Sequence, residues 1–243
     1  MYDESKFRLR LGEVSRQLNP IWPEGRNPRS IPGDGPHYTL SGYRRPVSVS
    51  PIEAETLKSI AQSMPVVSAV EIGTGFGFSS FWIAAGMAVT GRDNLWLGSL
   101  DSQTEGVLKE EGVAFAETAA ASLGLSAIIH YAVGSSPEAV PALLDGRELD
   151  LAFIDGNHHG SQPLDDYGAV MPYMKETSLL LFHDVEPRYS VADAVNAAMK
   201  DGWSFVTLPT SCRLGACYRV PSAFDCLLAS FTQARMAVRR HGF

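Results

Sequence analysis

The sequence predicts an α/β fold: a mostly parallel sheet of seven strands, covered by helices on both faces, with an antiparallel strand near its end. Three observations carry this. From residue 66 to residue 202, short apolar runs of strand length alternate with helical segments, the order that builds parallel strands joined by crossover helices. These strand segments are continuous apolar runs, as burial on both faces requires. The last two, 203–209 and 214–220, are joined by only four residues, too few for a helical crossover, so they are antiparallel neighbours.

Residues 19–50 are dense in Pro, Gly and Ser and hold no period of 2 or 3.6, which predicts loop. At Ser50 the pattern changes. "SPIEAETLKSIAQSM" has Ser at the cap, Pro51 at the first helical position and Glu53 three residues after the Ser, a helix start. The remaining strands fall at 66–73, 94–101, 126–133, 149–156 and 178–185. Helices are expected at 78–89, 107–124, 136–144, 163–174, 190–202 and 222–240. The organisation follows: an N-terminal arm or lid over 1–49, a central domain over 50–221 and a C-terminal helix over 222–243 packed on it.

The 243 residues suffice for one α/β domain with a substantial core. The net charge of −7 is uneven. Residues 1–45 hold eight Lys/Arg against five Asp/Glu, and residues 46–221 hold nine against twenty-one. An acidic body argues against nucleic-acid binding, which rests on phosphate neutralisation. The basic arm reads as a solvated segment, or as one that closes over a polar substrate. No apolar run has the ~20 residues of a membrane helix, and the charged start "MYDESKFRLRLGEV" lacks a signal-peptide core. Cys212, Cys217 and Cys226, without CxxC spacing, suggest reduced thiols and a cytoplasmic protein.

Two stretches carry chemistry. In "VEIGTGFGFSS", Gly73, Gly75 and Gly77 lie between the first strand and its helix, where a ligand's close approach excludes Cβ atoms. The dinucleotide spacing would need Gly at 78, where Phe78 stands, and no Gly-Lys-Ser/Thr of a triphosphate loop is present. Glu71, two residues before the first glycine, suits a cationic amine. Asp101, at the end of the second strand, suits a ribose diol. Together they predict a nucleoside-type cofactor. In "LDLAFIDGNHHG" and "LFHDV", Asp155, Asn157, His158, His183 and Asp184 follow two strands whose ends point the same way. Carboxylates beside imidazoles suit a hard or borderline divalent ion, or one histidine serves as general base. Trp22, His37, Tyr38 and Tyr43 either anchor the arm or line an acceptor pocket. His130 reads as structural and His159 as solvated.

The pattern E-x-G-x-G-x-G followed by an acidic strand end resembles the class I S-adenosylmethionine-dependent methyltransferases, over roughly residues 50–220. The resemblance implies a Rossmann-like sheet with its last strand antiparallel. Gly73, Thr74 and Gly75 would pass under the methionine part of the cofactor and Asp101 would hold the ribose hydroxyls. Gly134 and Ser135 would lie by the adenine, and Glu71, Gly77 and Asp155 complete the cofactor set. "FIDGNHH" with "LLLFHDV" is similar to the O-methyltransferase subgroup of catechol-type and macrolide-sugar enzymes. There an Asp after strand four and an acidic pair after strand five hold magnesium, and the D-G-x-H histidine is the base. Carried over, Asp155 and Asp184 are ligands and His158 is the base, with Asp155 also orienting the acceptor. The chain departs where His183 replaces the first acid of the pair and Gly160 the usual aromatic. An Asp155/His183/Asp184 set suits Mn, Fe or Zn as well as Mg. The expectation is O-methylation of a small-molecule hydroxyl, with or without a metal, by a protein with no nucleic-acid or membrane partner. The last helix offers a homodimer contact as an option. A metal-dependent hydroxylase or oxygenase on the same scaffold, or a non-catalytic cofactor binder, are the alternatives.

Overall fold

The computed structural model describes residues 2–21, 35–40, 47–103 and 111–241. Its centre is a seven-stranded sheet. The strands are β3 (Ser68–Ile72), β4 (Trp96–Asp101), β5 (Ile129–Val133), β6 (Leu149–Ile154), β7 (Met174–Phe182), β8 (Ser204–Thr207) and β9 (Gly215–Tyr218). Their spatial order is β5-β4-β3-β6-β7-β9-β8. All neighbouring pairs from β5 across to β7 are parallel, and β9 runs antiparallel between β7 and β8. The expected closing hairpin is therefore present, with the last strand of the chain as the reversed one.

Alternation along each strand divides the core in two. Leu151, Phe153, Leu179 and Leu181 face one layer, built with α2 (Pro51–Ser63), α3 (Phe78–Val89), α4 (Gly112–Leu123) and α8 (Pro221–His241). Ala152, Ile154, Leu180 and Phe182 face the other, built with α5 (Val140–Leu144), α6 (Gln162–Val170) and α7 (Val191–Lys200). Two fully covered faces explain why the strands read as unbroken apolar runs.

The capping box at Ser50 forms as the sequence predicts: the Ser50 hydroxyl accepts from Glu53 N–H at 3.3 Å and the Glu53 carboxylate accepts from Ser50 N–H at 2.9 Å. α2 then runs between α3 and α8, and its backbone meets α3 closely. A Cβ at Gly86 would lie 2.2 Å from the Lys58 carbonyl oxygen, so only glycine fits there.

Several boundaries differ from expectation. The helix over 163–174 stops at Val170 and closes in one 3-10 turn, Met171–Tyr173, because Pro172 cannot continue the α-helical ladder. β7 starts earlier than expected, at Met174, and ends at Phe182 as the chain turns through Asp184 at φ +51°. α5 is reduced to five residues. Residues 19–50, expected as loop, contain a small antiparallel pair, β1 (Asn19–Ile21) with β2 (His37–Thr39).

The N-terminal arm also differs from a solvated segment. Glu4–Ser15 forms α1, capped by Asp3, with Phe7, Leu11 and Val14 buried. Phe7 meets the edge of Trp82 at 5.6 Å, and Arg8 pairs at 2.7 Å with Glu55, which is buried on α2. In the same arm His37 is buried, its Nδ1 2.9 Å from the Ser48 carbonyl oxygen, and Tyr38 lies 5.2 Å from the ring of Phe78. These two residues anchor the arm. Trp22 and Tyr43 lie outside the described residues.

Candidate active site

The strand order reverses at β3, whose neighbours β4 and β6 leave in opposite directions. The crevice beyond the carboxyl ends of these strands is where open α/β sheets place ligands. The glycine loop occupies it. Gly73 has φ +99°, and a Cβ there would lie 2.2 Å from the backbone oxygen of Asp155. Position 73 therefore tolerates no side chain, and the loop is pressed against the start of the Asp155 segment. Gly73 N–H donates to the Leu100 carbonyl at 2.8 Å, and the Thr74 hydroxyl meets that of Ser99 at 2.7 Å. Gly77 begins α3, with Ala116 packed where its side chain would be. Val47, returning from the arm, lies 3.5 Å from the place a Gly75 side chain would take.

Both candidate acids of this loop are occupied in ways the sequence did not show. Glu71 is wholly buried and turned behind the loop. Its carboxylate accepts from Ser79 at 2.5 Å, from Ser99 at 2.6 Å and from Ser80. Burial raises its pKa to about 7 against the help of the three hydroxyls. In this geometry Glu71 braces the loop from behind and offers no open carboxylate to an amine. Asp101 accepts Gly75 N–H at 2.8 Å and Gln103 N–H at 2.7 Å, and it remains half-buried at the mouth. Gly134 N–H donates to the Asp101 carbonyl at 2.9 Å, and Ser135 beside it is exposed at the neighbouring strand end.

The second cluster lies at the ends of β6 and β7, adjacent and parallel strands. Asp155 and His183 follow them directly, joined by a backbone bond from His183 N–H to the Ile154 carbonyl at 3.0 Å. Asp155 Oδ1 lies 2.9 Å from His183 Nδ1 and 3.3 Å from His158 Nε2. Asp184 Oδ2 lies 3.6 Å from His158 Nδ1 and 3.9 Å from His183 Nδ1. The structure thus brings Asp155, His158, His183 and Asp184 together. Asn157 stands apart, exposed, accepting His159 N–H at 3.0 Å. His159 is exposed against the edge of Tyr189, whose ring also covers His158 at 5.1 Å.

One residue of this cluster escaped the sequence reading. Glu53, expected only to cap α2, is fully buried with its Oε2 3.2 Å from His183 Nε2. Its other oxygen accepts Cys212 N–H at 3.2 Å. The signal was hidden because Glu53 and His183 are 130 positions apart and the capping box already explained the acid. Burial alone would push the Glu53 carboxyl up, but His183 beside it, with Thr210 and Ser50, brings it down to about 2. Burial likewise opposes the His183 imidazolium, and Asp155, Glu53 and Asp184 overcome it, raising its pKa well above the usual histidine value. Asp155 is held below the usual carboxylate range against its own burial, by His183 and His158. Burial raises Asp184.

The donor atoms of this cluster lie as close together as those of a divalent-ion site. One ligand atom from each of Asp155, His158 and His183 lies within 4.8 Å of the others. His183 Nδ1 and His158 Nε2 are buried without a hydrogen bond, although both approach Asp155 Oδ1. Two donors about 2.1 Å from one ion and at right angles are separated by about 3.0 Å, close to the 2.9 Å from Asp155 to His183. The set fits. It differs from expectation in its composition: His158, expected as base, stands inside the tight group, and Asp184 stands beside it. A second group, Glu53, His183 and Cys212, fits less well. Both Glu53 oxygens already accept protein donors, and burial pushes the Cys212 thiol far up, away from a thiolate.

A family model described as a methyltransferase domain matches residues 70–185, from β3 past the end of β7. Over this segment the chain resembles a methyltransferase domain. The match spans the glycine loop, Asp101, Asp155, His158, His183 and Asp184. No curated protein matches the chain. Among solved structures, an O-methyltransferase from Bacillus cereus in complex with SAH is similar at TM-score 0.59 and 15% identity, over 72% of this chain and 84% of that one. The O-methyltransferase TomG from Streptomyces achromogenes, involved in tomaymycin synthesis and in complex with SAM, gives 0.58 and 14%, over 72% and 82%. CalS11, a TDP-rhamnose 3'-O-methyltransferase of calicheamicin biosynthesis, gives 0.54 and 18%, over 69% and 77%. At these identities the likeness is one of fold. Glu53 and the arm lie outside the family match. Among the described residues no helix is long and apolar enough to cross a membrane.

Proposed function

We propose that this methyltransferase moves a methyl group from S-adenosylmethionine to a hydroxyl oxygen of a small molecule. The observation that carries the reading is the meeting of two features at the carboxyl ends of the strands: the glycine loop, so close to the Asp155 backbone that a Cβ at Gly73 would lie 2.2 Å from its oxygen, and the cluster of Asp155, His158, His183 and Asp184. Gly73, Thr74, Gly75 and Gly77 shape the floor for the cofactor, braced from behind by Glu71. Asp101 has carboxylate lone pairs left for the ribose, and Ser135 sits at the adjoining strand end. The cofactor supplies an electrophilic methyl. The chain's own contribution is to hold the acceptor oxygen toward it and exclude water. Asp155 and Asp184 orient the acceptor. His158 takes the hydroxyl proton as the oxygen–methyl bond forms and the cofactor leaves as its thioether.

A divalent ion held by Asp155 and His183, with Asp184 or His158, would polarise the acceptor oxygen. The arm, with Val47 over the loop, serves as the lid on the cofactor side.

Replacing His158 by Ala tests the assignment. Turnover with a competent hydroxylated acceptor is expected to fall about 10²–10⁴-fold, with S-adenosylhomocysteine binding retained. Unchanged turnover removes His158 from the chemistry. A wild-type protein that binds the cofactor and methylates none of a broad panel of hydroxylated acceptors supports a non-catalytic binder instead. The group of two imidazoles and one carboxylate also matches the donor set of mononuclear iron oxygenases. That second reading requires stoichiometric iron and oxygen-dependent turnover without the cofactor.

A further inference from the structure

Behind the site, on the side away from the crevice, Glu53 touches His183. Its carboxylate comes from the first turn of α2, and it is immobilised there. Ser50 N–H, Cys212 N–H and His183 Nε2 all converge on its two oxygens, at 2.9, 3.2 and 3.2 Å. It has no exposure to solvent. This is the arrangement of an outer carboxylate that orients a metal-bound histidine.

The geometry also fixes the other ring nitrogen. With Nε2 held by Glu53, Nδ1 points to the side of Asp155, 2.9 Å from its Oδ1. His158 Nε2 approaches the same oxygen at 3.3 Å. One positive charge serves all three atoms. Without an ion it is the proton of His183, and a divalent ion that binds there takes its place and releases that proton.

We infer that Glu53 is the positioning residue of a divalent-ion site. It fixes His183 with Nδ1 toward Asp155 and makes the site prefer a first-row ion such as Zn, Co or Fe over Mg. The inference rests on the reading that Asp155 and His183 hold an ion. The preference follows from the donors: imidazole nitrogen suits the first-row ions, whereas magnesium takes oxygen and keeps much of its water. A carboxylate behind the ring makes the nitrogen a stronger donor.

The test is metal binding itself. Metal-stripped full-length protein is titrated with Zn(II) and Co(II) against a chromogenic chelator and with Mg(II) by calorimetry. Wild type, Glu53→Gln and Glu53→Asp are compared, with melting curves and S-adenosylhomocysteine affinity as controls. Gln can keep the capping contact to Ser50 N–H through its amide oxygen, but it sets its NH2 against the Cys212 N–H, and the melting curves report that local cost. Wild type is expected to bind one Zn or Co per chain more tightly than Mg. Glu53→Gln is expected to weaken this about 10- to 100-fold with cofactor affinity unchanged, and Glu53→Asp, which keeps the charge one methylene back, to fall between. If Gln does not fold, the Asp variant carries the comparison. Equal affinities in wild type and a folded variant overturn the role of Glu53 and leave the ion site standing. Wild type that binds no first-row ion, or prefers Mg, overturns the inference, and the absence of all binding overturns the ion site with it.

Discussion

Glu71 illustrates how one buried side chain turns into a measurable property. It carries a carboxylate against three serine hydroxyls with no exposure, and burial lifts its pKa from 4.5 to about 7. The folded state therefore holds a proton there that the unfolded chain has released between pH 4.5 and about 7. Since stability falls with rising pH wherever the native state binds more protons, this residue's contribution declines across that window and is constant above it. At 1.36 kcal/mol per unit the effect is on the order of 3 kcal/mol. A Glu71→Gln variant, which cannot ionise, is expected to lose that decline: the stability difference between variant and wild type grows in the variant's favour from pH 5 to pH 8. Denaturant melts at both pH values check it, and a pH-independent difference refutes the buried-acid account. At this scale the sequence was partly informative. Asp155 and His183 were legible as partners because parallel strands must deliver their ends to one side. The inward turn of Glu71 was not, since Ser79, Ser80 and Ser99 come from a helix and a neighbouring strand whose facing only the fold decides.

Among the elements, α1 is the one the sequence concealed. Its apolar positions Phe7, Leu11 and Val14 do follow helical spacing, but they are set among Lys6, Arg8, Arg10 and Glu13 next to a Pro/Gly-rich stretch. The deciding contact is tertiary. Arg8 reaches Glu55, which is 1% exposed, and Lys58 meets Glu4 at 2.5 Å. Breaking a buried pair by removing one partner strands the other charge and costs roughly 3–5 kcal/mol. Arg8→Ala is expected to destabilise the protein by about 3 kcal/mol and to open residues 1–18 to proteolysis before the rest of the chain. Equal protease sensitivity of wild type and variant would show that α1 docks without this pair. The strands, by contrast, were readable in order and nearly in length. The central strands β3, β4 and β6 are mostly apolar on both sides, and glycine or proline marks the helix boundaries between strands.

On the scale of the whole molecule, the sheet gathers two sets of groups that are far apart in the sequence at one mouth. Positions 73–77 and 101 arrive from the strand order's reversal point, and positions 155–158 and 183–184 from the next two strands. Position 53 comes in behind them from the first helix of the domain. The topology predicted from the alternation of strands and helices was enough to place the two strand-end sets. It could not place Glu53, because α2 precedes the sheet and its packing side is set by Gly86, α3 and α8 together. The acidic body, net −7 for the chain, then surrounds a cleft whose buried histidine supplies the local positive charge.

The central claim is that this crevice holds S-adenosylmethionine over the glycine loop. Calorimetric titration with S-adenosylhomocysteine, on wild type and on Asp101→Asn, tests it most directly. The account predicts saturable one-to-one binding to wild type. It predicts about tenfold weaker binding to the variant, since Asp101 orders Gly75 N–H and loses its charge toward the ribose. No binding to folded wild type, or equal binding to both proteins, would contradict it.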